Sequence, residues 1–233
     1  MTIAAMAFAL VNQDAGTTGA QLVSKMIRRY YEAKTIGGTI KTDLDVSGAT
    51  LSITTTLWIE RPNKLYLRQV TSAGPSFLVT ADGKEFSYDQ PAVGGQVSTS
   101  HGRLVEYQGS TEVGGVYGSA ALSIAERSNP LDLAIARQDD LKMLRDQWVT
   151  LNDGGEKEID GKPCRMVTGQ WTSNPVFGTL GHYAMWITAE GDLIKMEIQG
   201  PNPELAGSKI VRTHTVDLKV GATPPEGQFT VAK

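Results

Sequence analysis

The residues able to do chemistry in this chain are few, and their spacing limits what they can do. The three histidines, His101, His182 and His214, lie far apart. Metal sites declare themselves by short spacings between ligands on one element, and no such spacing occurs here. Cys164 is the only cysteine, so an intramolecular disulfide or a thiolate cluster for zinc or iron–sulfur is ruled out. Arg165 beside it would favour a thiolate, whereas an apolar strand around it makes the thiol a packing group. There is no G-x-S-x-G elbow. Gly94-Gly95 and Gly114-Gly115 lack the strand-to-helix setting and trailing lysine of a phosphate loop. Asp139-Asp140 is a carboxylate pair, but helix neighbours diverge by about 100°, which suits a solvated face. These residues predict a protein with no catalytic centre, no cofactor and no metal.

Composition narrows the class further. The 233 residues are 40% hydrophobic and 20% charged, which is globular and long enough for one domain with a sizeable core. Lys+Arg 22 against Asp+Glu 25 leaves a net charge of -3. No segment is strongly basic, which argues against nucleic acid as a partner. The apolar run Ile3 to Val11 would rise only ~14 Å as a helix, too short to span a bilayer. Ala5-x-Ala7 and Ala7-x-Ala9 resemble signal-peptidase sites, although nothing before Lys25 is basic. Residues 1–14 are therefore expected to be a truncated signal peptide or a disordered N-terminus, with a single domain over 15–233. No cysteine stands at the cleavage point, so the chain is not expected to be lipid-anchored.

The elements that would position any site follow from periodicity. Thr17/Thr18 are capping candidates for a helix to about Ala33, with Leu22, Met26, Tyr30 and Ala33 on one face and Gly37-Gly38 as its stop. From residue 39 the period becomes 2. Ile40, Leu44 and Val46 turn through Ser47-Gly48 into Leu51, Ile53, Thr55, Leu57 and Ile59, a hairpin of half-buried strands. Arg61-Pro62-Asn63 turns the chain into Leu65 and Leu67, and Asp82-Gly83 joins strands 76–80 and 84–88. The stretch from Pro91 to Tyr117 reads as loop with one short strand. Helix is expected from Ala120 to about Leu144, restarted at Asn129-Pro130. Strand blocks resume near 148–151, 155–159, 163–171, 182–188, 192–199 and 208–219. With no β-α-β alternation, the expected architecture is mainly β (α+β): about ten or eleven antiparallel strands in one curled sheet, with helices on its concave side.

Two segments carry a resemblance. Leu57-Trp58-Ile59-Glu60-Arg61-Pro62-Asn63 with Leu65-Tyr66-Leu67 resembles the signature of the periplasmic lipoprotein carriers of the LolA superfamily. So does Phe77-Leu78-Val79-Thr80-Ala81-Asp82-Gly83-Lys84, ending in Tyr88-Asp89-Gln90-Pro91. The run 129–137 looks like the carrier's internal helix, and Thr223-Pro224-Pro225-Glu226-Gly227 with Phe229 looks like its closing region. In the second half, Asp160-Gly161-Lys162-Pro163-Cys164, Met185-Trp186-Ile187 and Leu193-Ile194-Lys195-Met196 are more similar to the uncharacterised LolA-like periplasmic proteins.

The resemblance implies a curled antiparallel half-barrel with a helical lid (LolA/LolB-like) over an apolar cavity. It implies a non-catalytic, periplasmic carrier of acyl chains or lipoproteins, monomeric, with membrane transporter or receptor proteins as partners. A sensor or protein-interaction module without lipid cargo is the alternative. Exposing an acyl chain costs ~0.8 kcal/mol per CH₂, on the order of 12 kcal/mol for sixteen carbons, so aqueous transfer needs a shield. The implied apolar lining is Leu22, Met26, Tyr30, Leu57, Ile59, Leu65, Leu67, Phe77, Val79, Leu131 and Ile135. Arg61 occupies the position of the carrier's lid latch. Leu65 and Leu67 stand where the carrier has aromatic residues, which implies a different cavity shape.

Overall fold

Alternation of buried and exposed residues along the strands decides how this chain folds. The computed structural model describes residues 16–46, 48–74, 76–91, 97–104, 113–119, 129–135, 148–172, 180–201 and 209–231. The expectations for residues 1–14, for helix over 120–128 and beyond Ile135, and for Asp139-Asp140 lie outside these residues. The elements are α1 (Gly16–Glu32), β1 (Thr35–Val46), β2 (Ala49–Glu60), β3 (Lys64–Thr71), β4 (Ser76–Asp82), β5 (Glu85–Pro91) and β6 (Val97–Arg103). They continue with α2 (Val113–Ser119), α3 (Asn129–Ile135), β7 (Asn152–Ile159), β8 (Lys162–Thr172), β9 (Leu180–Thr188), β10 (Leu193–Pro201) and β11 (Lys209–Val220).

All eleven strands join one open antiparallel sheet in the order β6-β5-β4-β3-β2-β1-β11-β10-β9-β8-β7. The two halves of the chain are each a meander, and the pairing of β1 with β11 joins them at the centre. This is the curled half-barrel expected from the sequence. One sheet face packs a continuous core beneath the helices, with Ile36, Ile40, Leu57, Ile59, Leu65, Leu67, Val79, Val167, Met185, Ile187, Met196 and Val216 all buried. From the helices, Val23, Met26, Ile27 and Tyr30 of α1, Val113, Val116 and Tyr117 of α2, and Leu131, Leu133 and Ile135 of α3 close over it. A smaller cluster of Cys164, Trp186 and Ile194 lies apart from that core.

Four expectations need correction. Gly37-Gly38 do not cap α1; they lie inside β1, paired with Trp58 and Leu57 of β2. A methyl group at Gly37 would collide with the Trp58 ring, so the glycine is there to let that ring lie flat on the strand. Gly38 has a φ of 145° and is pressed against the Asp217 carbonyl of β11, where again only glycine fits. Thr17/Thr18 fall within the first turn of α1, which begins at Gly16. The span from Pro91 to Tyr117 contains β6, as one short strand was expected, but also α2, read from sequence as loop. Of the block 148–151, only an isolated bridge between Trp148 and Trp171 forms.

Candidate functional site

The turn between β2 and β3 gathers the helices. Because Leu57, Ile59 and Arg61 share one side of the strand, the arginine leaves the sheet on its covered face. Its Nε donates to the Ala33 carbonyl at 3.1 Å, and one Nη donates to the carbonyls of Ala134 at 2.9 Å and Tyr30 at 3.4 Å. Tyr30 lies in the last turn of α1 and Ala33 directly follows the helix, where carbonyls have no helical partner, and Ala134 is in α3. A guanidinium with its donors in a fixed fork is suited to hold two helix ends together.

The same turn reaches α2 and the next hairpin. The Pro62 carbonyl accepts the N–H of Val113, first residue of α2, at 2.8 Å. The Asn63 side-chain amide donates to the Gly83 carbonyl at 3.0 Å. Gly83 follows Asp82, whose Oδ1 accepts the N–H groups of Lys84 and Glu85. Thus the two motifs that carry the sequence resemblance, one around Arg61 and the other around Asp82-Gly83, are physically linked.

The helix α1 has a second mooring on the β9–β10 turn. Arg29 pairs with Asp192, Nε to Oδ1 at 2.6 Å and Nη to Oδ2 at 3.2 Å. Lys25 donates to the Ala189 carbonyl at 2.5 Å, and the Tyr30 hydroxyl accepts the Leu193 N–H at 3.3 Å. Burial pushes the Tyr30 phenol up to about 12, so it stays neutral across the physiological range. Helix α3 is joined to α2 by the Tyr117 hydroxyl, which donates to Asp132 Oδ1 at 2.9 Å.

Of the expected lining, Met26, Tyr30, Leu57, Ile59, Leu65, Leu67, Val79, Leu131 and Ile135 are buried in the one core, and Leu22 packs half-buried at its edge. Phe77 is half-buried and lies outside that cluster. Sequence reasoning missed the second half of the floor, from Val167, Met185, Ile187, Met196, Ile198, Val216 and Leu218. Its signal was the two-residue period of the later strands. It also missed Val113, Val116 and Tyr117 of α2.

The floor changes character along its length. Nearest Arg61 it is wholly apolar; two rows further on come Gln69 and Thr55, then Thr71, Thr42 and His214, all buried. The Gln69 amide donates to Thr55 Oγ1 at 3.1 Å, and Thr42 Oγ1 lies 2.9 Å from His214 Nδ1. Burial, reinforced by Arg212, lowers His214 from 6.5 to about 4, so it is uncharged near neutrality. His101 and His182 are exposed. Burial raises the Cys164 thiol, the opposite of an activated thiolate. Among the described residues, no group of three or more histidine, cysteine or carboxylate residues could hold a metal, and no helix is long and apolar enough to cross a membrane. A groove of about 690 Å³ beside α1 is lined by Leu22, Pro163, Cys164 and Ala189 together with charged side chains such as Lys25 and Glu156.

Fold and site together define a class: an open antiparallel half-barrel with helices over its apolar face, gathered by one arginine. No family model matches the chain, and neither does any curated protein. Among solved structures it is similar to LprF from Mycobacterium bovis, at 11% identity over 91% of this chain and 98% of that one, TM-score 0.47. It is similar to the Pseudomonas aeruginosa MucA/MucB complex, at 13% identity over 93% of this chain and 62% of that one, TM-score 0.47. A LolA superfamily protein from Nitrosomonas europaea is similar at 12% identity over 91% of this chain and 97% of that one, TM-score 0.37. Likeness at this level concerns fold and says nothing of cargo.

Proposed function

We propose that this chain is an exported, non-catalytic binding protein of the bacterial envelope that shields acyl chains, carrying lipoproteins or another hydrophobic ligand. The covered sheet face is the binding surface, and Arg61 holds the helices over it when no ligand is bound. The observation that supports this reading is the set of Arg61 bonds to Tyr30 and Ala33 at the end of α1 and to Ala134 of α3. These bonds join helix ends rather than sheet strands, so breaking them frees the cover without touching the strand ladder. Apolar walls suit chains of variable length, because burial needs no directional contact.

Arg61→Leu tests it. The variant should keep its far-ultraviolet circular dichroism, and its affinity for an acyl-chain fluorophore should change severalfold. Intact dichroism with unchanged probe binding removes Arg61 from the mechanism. No probe binding by either protein, with a clean apo mass from envelope-purified material, removes the carrier reading. The half-barrel would then be a protein-docking module, a reading favoured by the close packing of Leu57, Ile59, Leu65 and Leu67.

A further inference from the structure

Among the described residues, few buried hydrogen-bonding side-chain atoms have no partner. They are Nε2 of His214 and the indole Nε1 atoms of Trp148, Trp171 and Trp186. Trp186 belongs to the separate cluster with Cys164. The other three belong to the covered side: His214 shares a cross-strand row with Thr42 and Met196, and Trp148 and Trp171 pack in or against the main core. All three lie away from Arg61. The Trp171 row is two steps along the strands beyond the His214 row, with Trp148 bridged to it. His214 is 0% exposed, and its other ring nitrogen is committed to Thr42.

Leaving a buried polar atom unpaired is costly, and natural folds do it rarely and for a reason. Here the cost falls at one end of a surface whose other end is wholly apolar. We propose that this end is a subsite for the uncharged polar head of an amphiphile, a glycerol ester or acyl amide, with His214 Nε2 bonding its hydroxyl, carbonyl or N–H. The inference rests on the carrier reading above and narrows its ligand class. A bare hydrocarbon would leave Nε2 unpaired, and the two rows around it, Thr55 with Gln69 and Thr42 with Thr71, make this stretch of the floor more polar than the stretch near Arg61. Against an anionic head stands the neutrality of the imidazole, which contributes no charge to pair with a carboxylate. Arg212, whose charge helps to keep the imidazole neutral, is half-buried and already interacts within the protein.

The test compares three probes, monopalmitoylglycerol, palmitate and an alkyl-pyrene hydrocarbon, on the wild type, His214→Leu and Thr42→Val. Wild type should prefer monopalmitoylglycerol to palmitate. His214→Leu should lose about tenfold more affinity for monopalmitoylglycerol than for the hydrocarbon, the scale of one buried hydrogen bond. Thr42→Val, which frees Nδ1, should show the same direction with a smaller loss. Independently of any variant, the His214 Nε2 resonance of the wild type should shift on adding monopalmitoylglycerol and stay put with alkyl-pyrene. Equal losses for all probes, equal affinity for palmitate, or a silent Nε2 resonance overturns the subsite and leaves the carrier reading standing; a trapped water would then satisfy His214. If no probe binds the wild type, the carrier reading itself falls.

Discussion

At the scale of single residues, His214 ties stability to pH in a direction that can be worked out. In the unfolded chain it titrates near 6.5; in the fold burial lowers it to about 4. Between those values the unfolded state binds the extra proton, so stability rises with pH there and is lost as pH falls from about 6.5 to about 4. Full expression of that shift corresponds to about 3 kcal/mol. Urea unfolding of the wild type should therefore show a loss approaching that size between neutral and mildly acidic pH. His214→Leu should show a smaller one, since only the carboxylates remain to titrate. Identical slopes for the two proteins would mean that the imidazole is solvated and that its burial has been misjudged. Helical spacing pointed to Met26, Tyr30, Leu131 and Ile135, all of them in the main core, and of the expected strand residues only Phe77 lies outside it. Alternation fixes their face whatever the loops do, and this is how Arg61 could be placed inward from Leu57 and Ile59. The face of His214 is legible in the same way, since it alternates with Val216 and Leu218, but nothing in the strand pattern shows that its partner is Thr42 of β1.

At the scale of elements, α1 is secured at two places, on Arg61 and on the β9–β10 turn. Its Arg29–Asp192 pair is partly buried and doubly bonded, which places it above the usual surface ion pair but still near 1 kcal/mol. Asp192→Ala should lower Tm by about 2–4 °C in a chain of this length and leave acyl-probe binding within twofold. A larger loss of binding would make the β9–β10 turn part of the ligand's path. The helices also mark where sequence reading fails. Val113-Gly114-Gly115-Val116-Tyr117-Gly118-Ser119 has three glycines and poor helix propensity, so it reads as loop. It becomes α2 because Val113, Val116 and Tyr117 reach the core and Pro62 accepts its first N–H, facts of tertiary context. Gly37-Gly38 misled in the opposite way. A glycine pair after a helix is the usual stop signal, and nothing local reveals that Trp58, paired from the next strand, needs the space.

At the scale of the whole molecule, the cover is asymmetric. The sheet is stitched through its middle by β1 and β11, twelve-residue strands paired along almost their full length. Helix α1 is tied to Arg61 at one end and to the β9–β10 turn along its side. Helix α3 is bonded to Arg61 and to Tyr117 of α2, and the first N–H of α2 is bonded to the Pro62 carbonyl. Helices of two turns open locally at lower free energy than a long central strand pair. Native-state hydrogen exchange should therefore rank the elements: β1, β2, β10 and β11 slowest, α1 next, α2 and α3 fastest. Arg61→Leu should widen the gap, because α1 keeps its moorings on Asp192, Ala189 and Leu193 while α3 loses its bond to the turn. Ligand that enters beneath the cover should then find its way in past α2 and α3, with α1 as a fixed wall. If Arg61→Leu instead accelerates α1 and α3 equally, the cover moves as one body, and the β9–β10 contacts are too weak to divide it.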